Sequence, residues 1–418
     1  MLEGLLEPWR YLFMQRALLA ALLVAIVCGT LGCFVVLRRM ALIGDALSHA
    51  VLPGAAVAFL LGTRQFFWGA AVAGVLTALL IGWVTSHSRL KEDAAIGVVF
   101  TAAFALGIVL ISAIQSRSVD LMHMLVGNVL GVENRDLGLT AGVAALVLLV
   151  VSLLYKEWVL HAFDPEYAAA IGLPVRRLHY LQMLLLSLGV VASLQTVGLV
   201  LVVAMLVTPA STAFLLVHRF ARMWAVSVAV AALAAVGGLY LSYYANVSSG
   251  GTMVLVATGL FFLAFLGAPR RGLLARLWLR RQRQRQRWEE DALKHALRLE
   301  EEGARVDPDA VGARLGADRH RARRLWRRLE RAGWVDAQGL TAGGRERAAQ
   351  LVRAHRLWER YLVEREGMDE ATVHEEAERL EHVRPETIGP ALDEDLGHPA
   401  RDPHGRPIPR GDAKERPV

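Results

Sequence analysis

The stretch ALIGDALSHAVLPGAAVAFLLG, residues 41–62, decides the fold of this chain. As a helix it is about one bilayer long, because roughly 20 apolar residues cross the hydrocarbon core. Its polar side chains are Asp45, Ser48 and His49. Asp45 and His49 are four residues apart, so they share one helical face. The stretch therefore predicts a membrane helix that carries a carboxylate and an imidazole on one side.

A carboxylate and an imidazole in a membrane helix are costly to bury and by default mark a substrate or ion pathway. Together they suit a divalent transition metal such as Zn²⁺ or Mn²⁺. We therefore expect Asp45, Ser48 and His49 to line a metal pathway. The alternative is a helix-capping aspartate and a hydrogen-bonded packing histidine. The Pro53-Gly54 pair predicts a break near the middle of the helix, in backbone that must be buried or face a cavity.

Composition divides the chain into two parts. Residues 1–268 carry 14 Lys/Arg and 11 Asp/Glu, whereas residues 269–418 carry 32 and 28. The sequence thus predicts an all-α polytopic membrane domain over 1–268, followed by a soluble, charged region. The net charge of +7 is spread over both parts, so it is no direct argument for nucleic acid. Cys28 and Cys33 are expected to pack in the first apolar segment without forming a disulfide.

The number of membrane spans stays open between eight and nine. Nine apolar segments lie at roughly 17–37, 41–62, 66–85, 94–114, 139–155, 178–194, 197–217, 223–244 and 252–268. The two around residues 195–198 could form one broken span. With nine spans and the N-terminus outside, the Lys/Arg-rich loops all fall in the cytoplasm.

The longer stretch RRMALIGDALSHAVLPGAAVAFLLG, residues 38–62, resembles the signature of the zinc, manganese and iron ABC-importer permeases, the ABC-3 family. The resemblance implies a type II ABC importer fold and a homodimeric or heterodimeric permease. It also implies a separate ATPase subunit and an extracytoplasmic metal-binding protein as partners. The family's Asp and His fall on Asp45 and His49. The sequence contains no GxxxxGK[ST] phosphate loop, so we expect no enzymatic activity and ATP hydrolysis by the partner subunit.

A short helix is predicted in the loop 156–177, where Asp164 and Pro165 begin it and Gly172 ends it. It resembles the coupling helix with which ABC permeases dock their ATPase; an ordinary amphipathic loop helix is the alternative. The residues assigned to it are Asp164, Pro165, Glu166, Ala169 and Gly172.

Two other polar groups lie outside the residues 41–62. The external loop contains Asp120, Met122, His123 and Met124, whose side chains could bind a metal at the entrance of the pathway. The favoured interpretation is a solvated loop whose histidine has no role in metal binding. The stretch TPAST, residues 208–212, places hydroxyls beside a proline. These hydroxyls either line the pathway or satisfy the backbone at a kink.

Beyond the membrane part, residues 269–287 predict an Arg-rich juxtamembrane linker, which is typical of binding to anionic lipid; DNA binding is the weaker interpretation. Residues 288–345 predict a cytoplasmic winged helix-turn-helix: three helices, the third begun by Asp318, and a small wing at VDAQGL, residues 335–340. The third helix is where a DNA reader would enter the major groove, although its arginines could equally form a solvated face.

Residues 340–383, LTAGGRERAAQLVRAHRLWERYLVEREGMDEATVHEEAERLEHV, resemble the iron- and manganese-dependent repressors related to the diphtheria toxin repressor. The stretch GHPARDPHGRPIP, residues 397–409, extends the resemblance. It implies a helical metal-binding and dimerisation domain over 346–418.

Imidazoles and carboxylates recur at helical spacing in this domain, and such mixed donors suit Mn²⁺, Fe²⁺ or Zn²⁺. His355 and Glu359 share one face, and a later helix carries His374, Glu378, Glu381 and His382. The resemblance implies a regulatory metal on His355, Glu378, Glu381 and His382, and an accessory site on His355, Glu359 and His374. A charged, solvated helical hairpin is the alternative.

Two departures from the repressor pattern bear on that site. Glu378 stands where iron-responsive relatives carry a cysteine, which favours manganese. Glu290 matches one ligand of the N-terminal helix, but Leu293 occupies the other ligand's position.

The sequence therefore predicts a permease in the cell's inner membrane that imports a divalent transition metal, Mn²⁺, Zn²⁺ or Fe²⁺, with a cytoplasmic metal-sensing tail. A membrane-tethered, metal-dependent transcription regulator is the alternative, and DNA as a partner stays open. A siderophore or vitamin permease is disfavoured, because large organic substrates need no intramembrane metal ligands such as Asp45 and His49.

Overall fold

The structure, a computed structural model, describes residues 10–61, 66–113, 129–269, 272–380 and 385–409. The chain divides into two compact units, Met1–Arg276 and Leu277–Val418. This division falls inside the Arg-rich stretch 269–287, which the sequence predicts to be a linker.

Most of the described residues of the first unit are helical. In chain order the helices are α1 (Leu12–Leu37), α2 (Ile43–Ala50), α3 (Leu52–Leu60), α4 (Phe66–His87), α5 (Glu92–Ala113), α6 (Asn134–Leu153), α7 (Tyr155–Phe163), α8 (Pro165–Ala170), α9 (Val175–Val197), α10 (Leu199–Leu216), α11 (Phe220–Ala245) and α12 (Ser249–Gly267). A 3₁₀ turn, Val129–Gly131, precedes α6.

Nine spans in the described ranges are long and apolar enough to cross a membrane, with α2 and α3 counted as one. The segment around residues 195–198 is two spans, because α9 and α10 are each long enough and only Gly198 separates them. Gly198 has φ of 85°, a conformation that glycine adopts without steric penalty. The structure thus favours nine over eight.

The predicted break in the second span is present and lies at Val51, two residues before Pro53. Pro53 occupies the first turn of α3, where a missing backbone N–H costs no intrahelical hydrogen bond. Gly54 lets α3 approach α4 closely, since a Cβ at this position would lie 2.0 Å from the carbonyl oxygen of Gly69.

Helix α1 is the centre of the membrane unit and packs against α6, α9, α10 and α11. Its Phe34 contacts Trp158 edge-on, at 5.3 Å between ring centroids, and Phe220 at 5.1 Å. By contrast, α5, α6 and α12 expose most of their apolar side chains. Such exposed apolar faces are suited to contact with lipid or with another membrane-embedded chain.

The second unit contains the predicted winged helix. Its helices are α13 (Leu273–Glu301), α14 (Pro308–Arg314), α15 (Arg319–Arg331), α16 (Ala342–Glu364), α17 (Val373–Leu380) and α18 (Pro385–Asp395). The wing pairs β1 (Val335–Asp336) with β2 (Gly339–Leu340) in antiparallel register. As predicted, Asp318 caps α15 by accepting a hydrogen bond from the Arg321 amide. Helix α13 begins at Leu273, so most of the predicted linker is helical.

Candidate metal sites

Asp45 and His49 lie one turn apart on α2, with 3.6 Å between Asp45 Oδ1 and His49 Nε2. Both side chains are partly exposed, and the His49 ring meets Phe104 of α5 edge-on at 5.3 Å. Ser48 is fully buried, and its hydroxyl donates to the Gly44 carbonyl at 2.7 Å, so its hydrogen bond is made within its own helix.

The separation of the two donor atoms fits joint ligation of one ion. Two ligands with bonds of about 2.1 Å to the same metal lie no more than about 4.2 Å apart. Asp45 Oδ1 and His49 Nε2 satisfy that limit without movement of the helix. A carboxylate and an imidazole leave further coordination positions for water or other side chains, which suits an ion that must bind and leave.

A second polar cluster surrounds Arg38, which follows α1 directly. Its Nη2 lies 2.5 Å from Oε1 of Glu92 at the start of α5. Its Nη1 lies 2.9 Å from Nε2 of His161, 2.9 Å from Nδ1 of His179 and 3.4 Å from Oε1 of Gln182. Burial, followed by the charge of Arg38, lowers the pKa of His161 to about 4, so this imidazole is neutral near pH 7.

Sequence reasoning missed this cluster and included Arg38 only as part of the quoted signature, residues 38–62, with no role of its own. The available signal was Glu92, an acidic residue at the edge of an apolar segment. The position of Glu92 in the sequence does not show which residues surround Arg38, because the residues that contact Arg38 lie 54 to 144 positions away from it in the chain.

The predicted short helix of the 156–177 loop is α8. Asp164 accepts a hydrogen bond from the Tyr167 amide at 2.9 Å, and Gly172 follows the helix with φ of 88°. Pro165, Glu166 and Ala169 are exposed. Tyr167 and Ile171 are each more than half exposed and are four residues apart, so α8 presents an apolar strip.

The tail brings three predicted ligands together. Nε2 of His355 lies 3.0 Å from Oε1 of Glu359 and 2.9 Å from Nδ1 of His374. The His374 nitrogen lies 2.7 Å from the same carboxylate oxygen. His355 and Glu359, on α16, are buried, whereas His374, on α17, is about half exposed. The site thus joins two helices and has one open side.

These distances fit one face of an octahedral coordination sphere. Three ligands at about 2.1 Å from a metal and at right angles to one another lie about 3.0 Å apart. Burial raises the pKa of Glu359, but hydrogen bonds with His355 and His374 outweigh it and lower the pKa to about 2. The carboxylate is therefore ionised near neutral pH and available to a cation.

The predicted regulatory set is arranged differently. Glu378 lies 3.9 Å from the Nζ of Lys294, and Glu381 and His382 lie outside the described residues. Glu290 lies 3.3 Å from Nη2 of Arg347. Leu293 is buried in the hydrophobic core of the winged helix. Among the described side chains, the accessory set is therefore the one that converges.

Of the two further polar groups that the sequence predicts, residues 120–124 and 208–212, the structure describes the second. Residues 120–124 lie outside the described residues. Within α10, Thr212 donates to the Thr208 carbonyl at 2.8 Å, close to Pro209. The carbonyl that loses its helical donor at Pro209 is that of Met205, four residues earlier, so the Thr212 contact does not separate the two interpretations.

Comparison with known proteins shows which protein families the chain matches. The profile of the ABC 3 transport family matches residues 10–268. A second profile, the iron dependent repressor, metal binding and dimerisation domain, matches residues 341–410.

The manganese transport system membrane protein MntC of Halalkalibacterium halodurans is 53% identical over 268 residues, covering 64% of this chain and 91% of that protein. MntC of Listeria monocytogenes is 52% identical over 273 residues, covering 65% of this chain and 96% of that protein. The solved structure of PsaBC from Streptococcus pneumoniae in complex with Fab matches with 43% identity and a TM-score of 0.57, covering 64% of this chain and 96% of that chain. This chain therefore belongs to the ABC 3 transport family and carries, after its membrane part, a domain of the iron-dependent repressor type.

Proposed function

We propose that this chain is the membrane permease subunit of an ABC importer for a divalent transition metal, with Mn²⁺ as its main substrate. The observation that carries the proposal is the Asp45–His49 pair on the broken second span. An ionisable pair inside a membrane span marks an ion path, and these two donors suit a transition metal. The manganese permeases among its relatives support Mn²⁺ as the substrate.

The permease has no energy source of its own in this proposal and binds a separate ATPase subunit through α8. The exposed Tyr167 and Ile171 provide the apolar contact, and the Asp164 cap fixes the start of the helix. A second permease chain completes the pathway, and an extracytoplasmic metal-binding protein delivers the ion. The C-terminal unit lies in the cytoplasm, consistent with the basic residues that follow α12.

The C-terminal unit senses metal in this proposal through His355, Glu359 and His374. Because these ligands come from both α16 and α17, a bound ion holds the two helices together. Folding and metal binding are then coupled, since the ligand atoms must meet at bonding distance.

Uptake measurements in cells that lack their own manganese importers test the proposal. We expect the full chain, expressed with its ATPase and binding protein, to restore Mn²⁺ uptake. Asp45→Ala and His49→Ala are each expected to reduce initial uptake to background while the protein still reaches the membrane. Thr101→Val is the matched control, because Thr101 is an exposed polar residue of a span and its hydroxyl donates to the Gly97 carbonyl of its own helix.

Parallel assays with Zn²⁺ and Fe²⁺ establish the substrate. Uptake of Mn²⁺ at the wild-type rate by the correctly inserted Asp45→Ala/His49→Ala double variant would remove this pair from the pathway. Faster uptake of Zn²⁺ or Fe²⁺ than of Mn²⁺ would overturn the assignment of the metal and leave the permease role intact.

A second candidate function, DNA binding by the tail, is favoured by one observation. A cavity of about 380 Å³ in the second unit is lined mainly by arginines of α13 and α15, together with Trp288. Arg321, Arg324 and Arg328 belong to α15, the helix that reads DNA in winged-helix proteins. Electrophoretic mobility of promoter DNA with the detergent-solubilised full chain, with and without Mn²⁺, tests this function. Arg321→Ala/Arg324→Ala is expected to abolish any shift.

A further inference from the structure

One nitrogen of the Arg38 guanidinium is surrounded by more hydrogen-bond acceptors than it has protons to donate. Three acceptor atoms, from His161, His179 and Gln182, surround the single nitrogen Nη1, which carries only two protons. The carboxylate of Glu92 lies against Nη2. Four lone-pair donors from three separate parts of the membrane unit thus converge on one cation.

Burial makes this arrangement a built site. His161 and Gln182 are each only 2% exposed, and His179 is 8% exposed. Among the described residues, Nδ1 of His161, Nε2 of His179 and Nε2 of Gln182 have no hydrogen-bond partner. Each histidine therefore turns one ring nitrogen toward Arg38 and makes no other polar contact in the described part of the chain.

The donor set is that of a transition-metal site. Two imidazole nitrogens, a carboxylate oxygen and an amide oxygen are ligands that suit Mn²⁺ and Zn²⁺. Because both imidazole nitrogens accept from Arg38, each must have its lone pair free, and a metal uses the same lone pair. A metal at the position of Nη1 would draw the two histidine nitrogens, each 2.9 Å away, inward by about 1 Å to reach bonds of about 2.1 Å.

The Arg38 cluster and the Asp45–His49 pair are connected by one helix. Helix α5 touches both sites, since Phe100 contacts the His49 ring and Glu92 contacts Arg38. Phe100 and Glu92 are eight residues apart, which is about 12 Å along a helix. His161 lies on α7, which leads directly into α8, the helix assigned to the ATPase contact.

We propose that Glu92, His161, His179 and Gln182 form a second, transient divalent-cation site, which the Arg38 guanidinium occupies whenever no ion is present. The inference rests on the proposed metal transport. It makes this site the one that the ion occupies after it leaves Asp45 and His49. Arg38 acts as a tethered competitor: it neutralises Glu92 between passages and keeps the affinity for the ion low. An ion that reaches the cluster displaces Arg38 and is displaced by it in turn, which speeds release.

Mn²⁺ binding tests this site without reference to transport. The background is the full-length chain with Asp45→Ala, His49→Ala and Glu359→Gln, purified with its ATPase, so that neither the α2 pair nor the tail cluster contributes. Bound Mn²⁺ is counted from the loss of the free-ion electron paramagnetic resonance signal. Into this background Arg38→Met is introduced, which removes the charge and keeps an unbranched side chain, and Arg38→Lys serves as the charge-retaining control.

We expect Arg38→Met to gain about one Mn²⁺ per chain, with at least tenfold higher affinity at this site than the background. Arg38→Lys should not gain it. Adding Glu92→Gln to the Arg38→Met chain should remove the gained ion. Arg38→Met binding no more Mn²⁺ than the background would overturn the proposal, as would a gain that Glu92→Gln leaves unchanged.

Loss of assembly is also informative. Arg38→Met leaves Glu92 without its counter-charge, and the proposal states that Mn²⁺ replaces that charge. If the variant assembles only when Mn²⁺ is present during purification, the site is supported; failure with and without Mn²⁺ overturns it. If the parent chain transports no metal, the proposed function is refuted. The cation site is still supported in that case if Arg38→Met gains Mn²⁺.

Discussion

The Nζ atom of Lys294 lies 3.9 Å from Oε1 of Glu378, so a buried ammonium pairs with the carboxylate to which the repressor resemblance assigns the regulatory metal. Lys294 is 2% exposed and Glu378 is 53% exposed. A positive charge at this distance opposes the approach of a cation to the same carboxylate. Glu359, by contrast, meets the imidazoles of His355 and His374, so the two carboxylates are not equivalent as metal ligands.

The first prediction compares these two carboxylates. In the full chain with Asp45→Ala and His49→Ala, Glu359→Gln should weaken Mn²⁺ binding by the tail at least tenfold, because it removes the anionic member of a preformed three-ligand set. Glu378→Gln should change that affinity less than threefold. Isothermal titration with Mn²⁺ measures both, and the reverse order would show that the regulatory set, not the accessory set, holds the ion.

The second prediction concerns the close approach of α3 and α4. A Cβ added at Gly54 would lie 2.0 Å from the backbone oxygen of Gly69, which cannot move like a flexible side chain. Gly54→Ala should therefore destabilise the membrane unit by about 1–3 kcal/mol or more. Gly97→Ala, on α5, meets nothing within 4 Å and should be tolerated. Thermal unfolding of the detergent-solubilised chain compares them, and equal midpoints would contradict the packing of α3 on α4.

The third prediction concerns α8. Tyr167→Asp and Ile171→Asp should each reduce co-purification of the ATPase severalfold, because they place a charge on the exposed apolar strip of this helix. Membrane insertion should not change, since both side chains are more than half exposed. Tyr167→Phe keeps the apolar ring and should behave like the wild type. Undiminished recovery of the ATPase with both aspartate variants would exclude α8 as its contact.

The fourth prediction addresses feedback by the tail. If metal on His355, Glu359 and His374 favours a transport-inactive state, removal of residues 288–418 should leave uptake intact at low internal Mn²⁺. At high internal Mn²⁺ it should raise uptake by about fivefold or more, the lower end of an ordinary coupling free energy of about 1–3 kcal/mol. Glu359→Gln should reproduce the effect in the full-length chain.

The measurement for this fourth prediction is the initial uptake rate against preloaded internal Mn²⁺, with expression from a foreign promoter. Superimposable curves for truncated and full-length chains would exclude an inhibitory tail. DNA binding or assembly would then be the better account of the second unit.

Local features of this protein are determined by its sequence. The Asp45–His49 pair follows from a spacing of four residues on a helix. The start of α8 at Asp164 and of α15 at Asp318 follows from side-chain caps that bond an amide three residues later. The position of the helix break was less exact: the sequence placed it at Pro53-Gly54, and it lies at Val51, because a proline is compatible with the first turn of the following helix.

Other features depend on helix packing. Arg38 and His179 lie 141 residues apart, and only the packing of α1 against α9 brings them to 2.9 Å. In the tail, the sequence offered two overlapping ligand sets that share His355. The docking of α17 on α16 places His374 at that histidine, while Glu378, one turn further on, faces Lys294. Helical periodicity fixes which residues share a face, but the partner that a face meets is set by the burial of apolar surface across the whole unit.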